Sequence, residues 1–281
     1  LAETYWSTGA LDDALGTLDS ANQSLAIAAE GGTGLRLGQL RLLTVSVERN
    51  ADAGRFENAR VYAGELAKQA AALRASEAKD SRVPVRGEIL ETQARALIAA
   101  AGGDWRAARA LSSEGASRAE AIQAREGSDT LWKFALLTNT NQLKAESELA
   151  LGDFASAEQS ARAAKAAKDQ LNIEPVVDGR TQAYLSTLLA AALAQQGRIA
   201  EAKAVIDPAV KFNRDLAARN QGDELQKLEL AAALYAQALA DPSRRAALLR
   251  ESRGLLAGLP GPMKSLATVR TWTRRIQDAS A

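Results

Sequence analysis

The sequence has no cysteine and no histidine. Together these absences remove disulfides, the usual zinc ligands, thiol nucleophiles and the commonest general base. A metal site made of carboxylates alone is left, but no stretch of Asp and Glu has ligand spacing. The lack of Cys suits a reducing and an oxidising compartment equally, so redox logic leaves the location open. Aromatic residues make up 4% of the chain, Val and Ile are sparse, and no run alternates apolar with polar residues, so strands are not expected. Neither sign of charge dominates: 35 Lys and Arg stand against 34 Asp and Glu, a formal net charge of +1. A dedicated nucleic-acid binder would carry a basic excess, so nucleic acid is not an expected partner. No window approaches the 18 or so apolar residues of a membrane span, and no signal peptide is visible.

What the chain does have is Ala. It supplies much of the 47% hydrophobic content, and it is the best helix former while carrying little apolar surface. Such a chain is expected to be all-α, with thin apolar layers between closely packed helices. The organising signal is a repeated turn. Leu151-Gly152-Asp153-Phe154 with Ala157 reads as a helix stop, a tight turn and a helix start. The same device occurs at Gly54-Arg55-Phe56 with Ala59, Gly103-Asp104-Trp105 with Ala108, and Gly197-Arg198-Ile199 with Ala202. A weaker copy is Gly9-Ala10-Leu11 with Ala14, and the glycines are separated by 45, 49, 49 and 45 residues. A two-helix repeat of that length implies a superhelical solenoid of antiparallel helix pairs, about five to six repeats long.

Read in order, the predicted helices are the end of one before Gly9, then 11–30, 35–52, 56–79, 84–101, 104–126, 131–151, 153–171, 180–196, 198–219, 223–240, 243–257 and 263–278. Asp104 reads as an N-cap, and Pro84 suits a first helical turn. The stretches 31–34, 80–84, 127–130 and 172–179 read as connections. Pro208 is expected to kink or interrupt its helix. The repeat array spans 1–257, begins in mid-repeat and reads as a piece of something larger. Residues 258–281 form a capping helix of the same domain, with Leu266, Val269, Trp272 and Ile276 sealing the last hairpin and Arg270, Arg274 and Arg275 turned to water.

Seven residues before each turn Gly stand Ala2, Val47, Ala96, Ala145 and Ala190, and five after it stand Ala14, Ala59, Ala108, Ala157 and Ala202. This pattern of small residues, Gly and a large apolar residue resembles the tetratricopeptide repeat family (TPR), although the period exceeds that family's 34 residues and the Pro that closes each repeat is missing. Extended repeats of this kind resemble those of large bacterial signalling and regulatory proteins. The resemblance implies a concave face lined by the first helix of each pair. Counting from the turns then places Arg41, Thr44, Glu48, Gln93, Asn139, Gln142, Glu146, Tyr184 and Thr187 on that face. The carboxylate clamp of some family members is absent, because Thr44, Glu48, Ala94, Tyr184 and Leu188 occupy the corresponding positions.

Other features have simpler readings. Trp105 holds the apolar turn position and reads as core, Trp132 as partly exposed at a helix start, and Trp6 as facing an element outside the chain. Gly31-Gly32-Thr33-Gly34 lacks the preceding strand and the following Lys of a phosphate loop, so it reads as a helix connection. Glu146 with Glu148, and Glu224 with Glu229, read as helix-face charges. The leading expectation is a non-catalytic interaction or scaffold domain, without cofactor. Its ligand would be a protein or peptide in the concave groove, or another domain of the parent chain. The alternative is a small-molecule effector sensor that regulates an attached output domain. Cavity shape separates the two, since an enclosed pocket with aromatic walls and converging polar groups suits an effector.

Overall fold

The computed structural model describes residues 1–28, 33–76, 83–123, 128–171 and 175–280. Fourteen helices account for nearly all of them, and no strand occurs among the described residues. They are α1 (Ala2–Ser7), α2 (Leu11–Ala28), α3 (Thr33–Asp52), α4 (Phe56–Ser76), α5 (Val83–Ala101), α6 (Trp105–Glu120) and α7 (Ser128–Leu151). There follow α8 (Phe154–Asp169), α9 (Pro175–Gln195), α10 (Ile199–Arg219), α11 (Glu224–Ala240), α12 (Arg245–Ala257), α13 (Gly261–Lys264) and α14 (Ala267–Asp278). Residues 31–32, 80–82, 127 and 172–174, which the sequence assigns to connections, lie outside the described residues.

Each repeated turn works as its residues require. Gly9, Gly54, Gly103, Gly152 and Gly197 have φ of 76–83° and are the positive-φ residues among those described. That left-handed conformation strains any side chain with a Cβ and lets the helix end on two reversed hydrogen bonds. At the fourth turn Gly152 N donates to Leu149 O at 3.3 Å, and Asp153 N donates to Glu148 O at 2.9 Å. The other four turns repeat this pair of bonds. Asp104, Asp153 and Asp223 then cap α6, α8 and α11 by accepting from Ala107 N, Ser156 N and Gln226 N. Ala59, Ala108, Ala157 and Ala202, with Ala96, Ala145 and Ala190, are fully buried. Their missing side-chain bulk is what lets paired helices approach.

Consecutive helices pack as neighbours from α1 to α12, and the first helices of successive pairs also touch: α3 with α5, α5 with α7, α7 with α9, α9 with α11. The odd-numbered helices therefore form an inner layer and the even-numbered ones an outer layer. The two ends also meet, because α1 touches α11 and α14 touches both α3 and α11. Trp6, Leu11, Leu15 and Leu18 share one buried cluster with Leu249, Met263, Trp272 and Ile276, while a second cluster is built on α3 to α8.

The structure corrects several expectations. Residues 175–179 and 128–130 are not connections but the first turns of α9 and α7. Pro175 fits the start of a helix for the reason given for Pro84. Gly179 lies within α9, and the position takes glycine because a Cβ there would lie 2.6 Å from the Phe212 ring. Pro208 does not interrupt α10, which runs unbroken from Ile199 to Arg219. Both Pro208 and Ala204, whose carbonyl loses its partner, are exposed to water. The closing segment is two helices rather than one, broken at Ser265-Leu266.

Candidate functional site

The inner layer lines a half-open chamber of about 840 Å³. Its wall comes from α1, α3, α5, α7, α9 and α11, from Trp105 at the head of α6, and from α14. The outer helices α2, α4, α8, α10 and α12 contribute nothing to it.

α14 supplies one wall of the chamber. Its apolar stripe is buried as its spacing requires, with Leu266, Val269, Trp272 and Ile276 all at 2% exposure or less. The stripe covers more than the last hairpin. Trp272 meets Tyr184 of α9 edge-on at 6.4 Å between ring centres and Tyr235 of α11 at 5.8 Å. Arg275 does not face water as expected: it stacks on Trp272 at 4.8 Å and donates to the backbone oxygen of Glu146 on α7 at 3.2 Å. Arg270 and Arg274 are exposed. The start of α14 lacks a side-chain cap of its own, since Leu266 occupies the N-cap position. Asp52 of α3 supplies it, accepting from Thr268 N at 2.7 Å and Thr268 Oγ1 at 2.8 Å.

Charged groups line the remaining wall. Arg49 of α3 donates to Glu3 at 3.0 Å and to Glu48 at 3.2 Å, and lies over the Trp6 ring at 4.9 Å. Arg180 of α9 holds Glu229 through Nε and Nη2, and Asp223 through Nη1 at 3.0 Å. Gln142 Nε2 donates to Glu146 Oε1 at 3.1 Å. Burial raises the Glu146 carboxyl above its usual range, against the lowering influence of Gln142, Tyr184 and Arg275, and the neighbouring Glu48 charge raises it further. Asp52 and Glu229 are also raised by burial, opposed by Thr268 and Arg180 respectively. The Tyr184 phenol is pushed well above its ordinary value by burial and by the Glu146 charge.

Of the residues assigned to the inner face from sequence, Glu48, Gln93, Asn139, Gln142, Glu146 and Tyr184 line this chamber together. Arg41, Thr44 and Thr187 do not. Arg41 is exposed away from it. Thr44 and Thr187 are buried between helices, where their hydroxyls donate to Leu40 O and Ala183 O one turn back. Trp105, read as core, is only partly buried and faces the chamber. Trp6 is 1% exposed and sits in the cluster that unites the two ends. Trp132 is partly exposed and lies under Arg86.

Sequence reasoning did not single out Arg49, Asp52, Arg180, Asp223, Glu229 or Thr268 as site residues. Arg49 and Asp52 were within reach, because they follow Glu48 closely on the helix that meets the chamber. Arg180 stood at the edge of a stretch read as a connection, and nothing local ties Thr268 to Asp52.

Among the described residues no group of three or more His, Cys, Asp or Glu is placed to share a metal ion, and no helix is long and apolar enough to cross a membrane. Set against family models, characterised proteins and solved structures, the chain matches none of them.

Proposed function

We propose that the chain is a TPR-like helical-repeat recognition domain without chemistry of its own, and that it takes a small ligand into the chamber to regulate an attached output domain. The observation that carries this reading is the meeting of the two ends across the inner face, which narrows the groove to a half-open chamber of about 840 Å³. Ligand pockets for small molecules span about 300–1,000 Å³ and combine apolar walls with a few converging polar groups. Trp105, Tyr184 and Trp272 supply such walls, and Gln93, Asn139 and Gln142 supply the polar groups.

Protein or peptide binding is the second reading, and the placement of α14 favours it: an amphipathic helix already lies against the inner face, so a partner helix could take its place. The two readings differ in what blocks them. Ala100 lines the chamber from α5, and Ala100→Phe takes up part of its space while leaving the sequence of α14 unchanged. Calorimetry against a panel of small metabolites is expected to find a ligand whose binding Ala100→Phe abolishes. Capture of a protein partner that survives Ala100→Phe but fails in the Asn139→Ala/Gln142→Ala/Tyr184→Ala variant would replace the chamber reading with the second one.

A further inference from the structure

We propose that the ligand of this chamber is a small organic cation, whose ammonium or guanidinium group is held between Glu48 of α3 and Glu146 of α7. The inference rests on the chamber reading and adds the chemistry of the occupant.

Charge is the first support. Six carboxylates and three arginines line the chamber, a formal surplus of three negative charges, in a chain whose overall balance is +1. The surplus is therefore local to the inner wall.

The state of each charged group is the second. All three arginines are spent within the fold. Arg49 is shared by Glu3, Glu48 and the Trp6 ring. Arg180 is held by Glu229 and Asp223. Arg275 lies between the Trp272 ring and the Glu146 backbone. An anion would have to break these contacts. The carboxylates, with about four acceptor directions each, keep capacity to spare: the Glu146 carboxylate has Gln142 and Tyr184 as its polar neighbours and no arginine bonded to it. Glu48 and Glu146 stand on different helices and line the same chamber, and the Glu48 charge adds to the burial that raises the Glu146 carboxyl. Like charges on one wall repel, and a cation bound there turns that repulsion into attraction.

Gln93 is the third and independent support. Its side chain lines the same chamber, is 8% exposed, and leaves its amide oxygen without a hydrogen-bond partner among the described residues. Turning the amide about its last torsion exchanges that shielded oxygen with the nitrogen, so the side chain can offer a donor or an acceptor. A buried acceptor left unmatched is costly, and a ligand N–H offers the match. Trp105 and Tyr184 add aromatic surface, whose faces attract cations.

The test is isothermal titration of the whole chain at low ionic strength with 1,4-diaminobutane, spermidine and L-arginine, beside succinate and inorganic phosphate as anionic probes. At least one of the amines is expected to bind at one per chain, more weakly as salt is added. Glu48→Gln and Glu146→Gln should each weaken it by roughly tenfold, the scale of one charge-assisted contact. Gln93→Leu should weaken it less, and Glu57→Gln on the exposed face of α4 should leave it unchanged. Both Glu→Gln variants keep side-chain shape, and thermal unfolding of each confirms that it folds. Two results overturn the assignment. One is binding of succinate or phosphate, blocked by Ala100→Phe, with no binding of amines; the chamber reading then stands and the charge class falls. The other is amine binding that neither Glu→Gln variant nor Ala100→Phe alters, which removes the chamber as the site.

Discussion

Glu146 concentrates what individual residues reveal here. It follows Ala145, whose small side chain lets α7 approach its neighbours, so its own carboxylate is carried to the inner wall by helical spacing alone. Burial raises its pKa, so the folded state holds its proton more tightly than the unfolded chain does. The sign follows: its contribution to stability is fully present below the unfolded value of about 4.3 and is lost as pH rises through the higher folded value. Glu146→Gln mimics the protonated form and retains a partner for Gln142. The variant should melt higher than wild type at pH 7.5, with a gap that narrows as pH falls toward 4.5. A variant that melts lower, by an amount independent of pH, would show the carboxylate to be well accommodated as an anion. Glu146 was legible as an inner-face residue because its distance from Gly152 sets its phase. Thr44 and Thr187 were placed by the same count and lie off the chamber. A hydroxyl can satisfy itself on the carbonyl one turn back, so polarity at those positions does not require an open face.

At the scale of the helices, the Gly turns were the most legible elements and the closing helix the least. A turn is written in neighbouring residues: the Gly, the large apolar residue two positions on, and the Ala five positions on. The five turns should nevertheless differ in their tolerance. An added Cβ meets nothing within 4 Å at Gly152, but at Gly9 it would lie 3.2 Å from Pro260 and 3.3 Å from Met263 Sδ. Gly152→Ala should therefore lose about 1–2 kcal/mol, the strain of a left-handed residue. Gly9→Ala should lose a further ~1 kcal/mol or more through overpacking against α13. Urea unfolding of the two variants measures the difference, and equal losses would mean that Gly9 and α13 do not touch in solution. The start of α14 could not be read in this way. Helix starts are recognised by a capping side chain beside them in sequence, and here Leu266 stands in that place while the acceptor comes from Asp52. Pro175 was the opposite case, since its signal was present and adjacent, but the Asn and Gly around it read as a connection.

For the whole molecule, the joined ends matter more than the repeat. In an open array each pair contacts only its neighbours, so the ends fray independently. Here the first and last helices share a buried cluster, and the Asp52–Thr268 cap ties α14 to α3. Asp52→Ala removes that cap at a cost of about 1 kcal/mol. Hydrogen exchange should then accelerate in α1 and α2 as well as in α14; acceleration confined to α14 would show that the ends are not coupled. None of this was visible in the repeat pattern, because periodicity specifies how each pair meets the next and says nothing about where the last one arrives. The same cap bears on how the chain reaches its native form. The packing between neighbouring helices joins residues close in sequence and so can form quickly. The Asp52–Thr268 bond joins residues 216 positions apart and can form only once the intervening pairs have brought α14 to α3. Acquisition of the fold is thereby divided into a local stage and a late closing step. The wall of the chamber is complete only after that step, so in the proposed reading competence to hold a ligand arrives last.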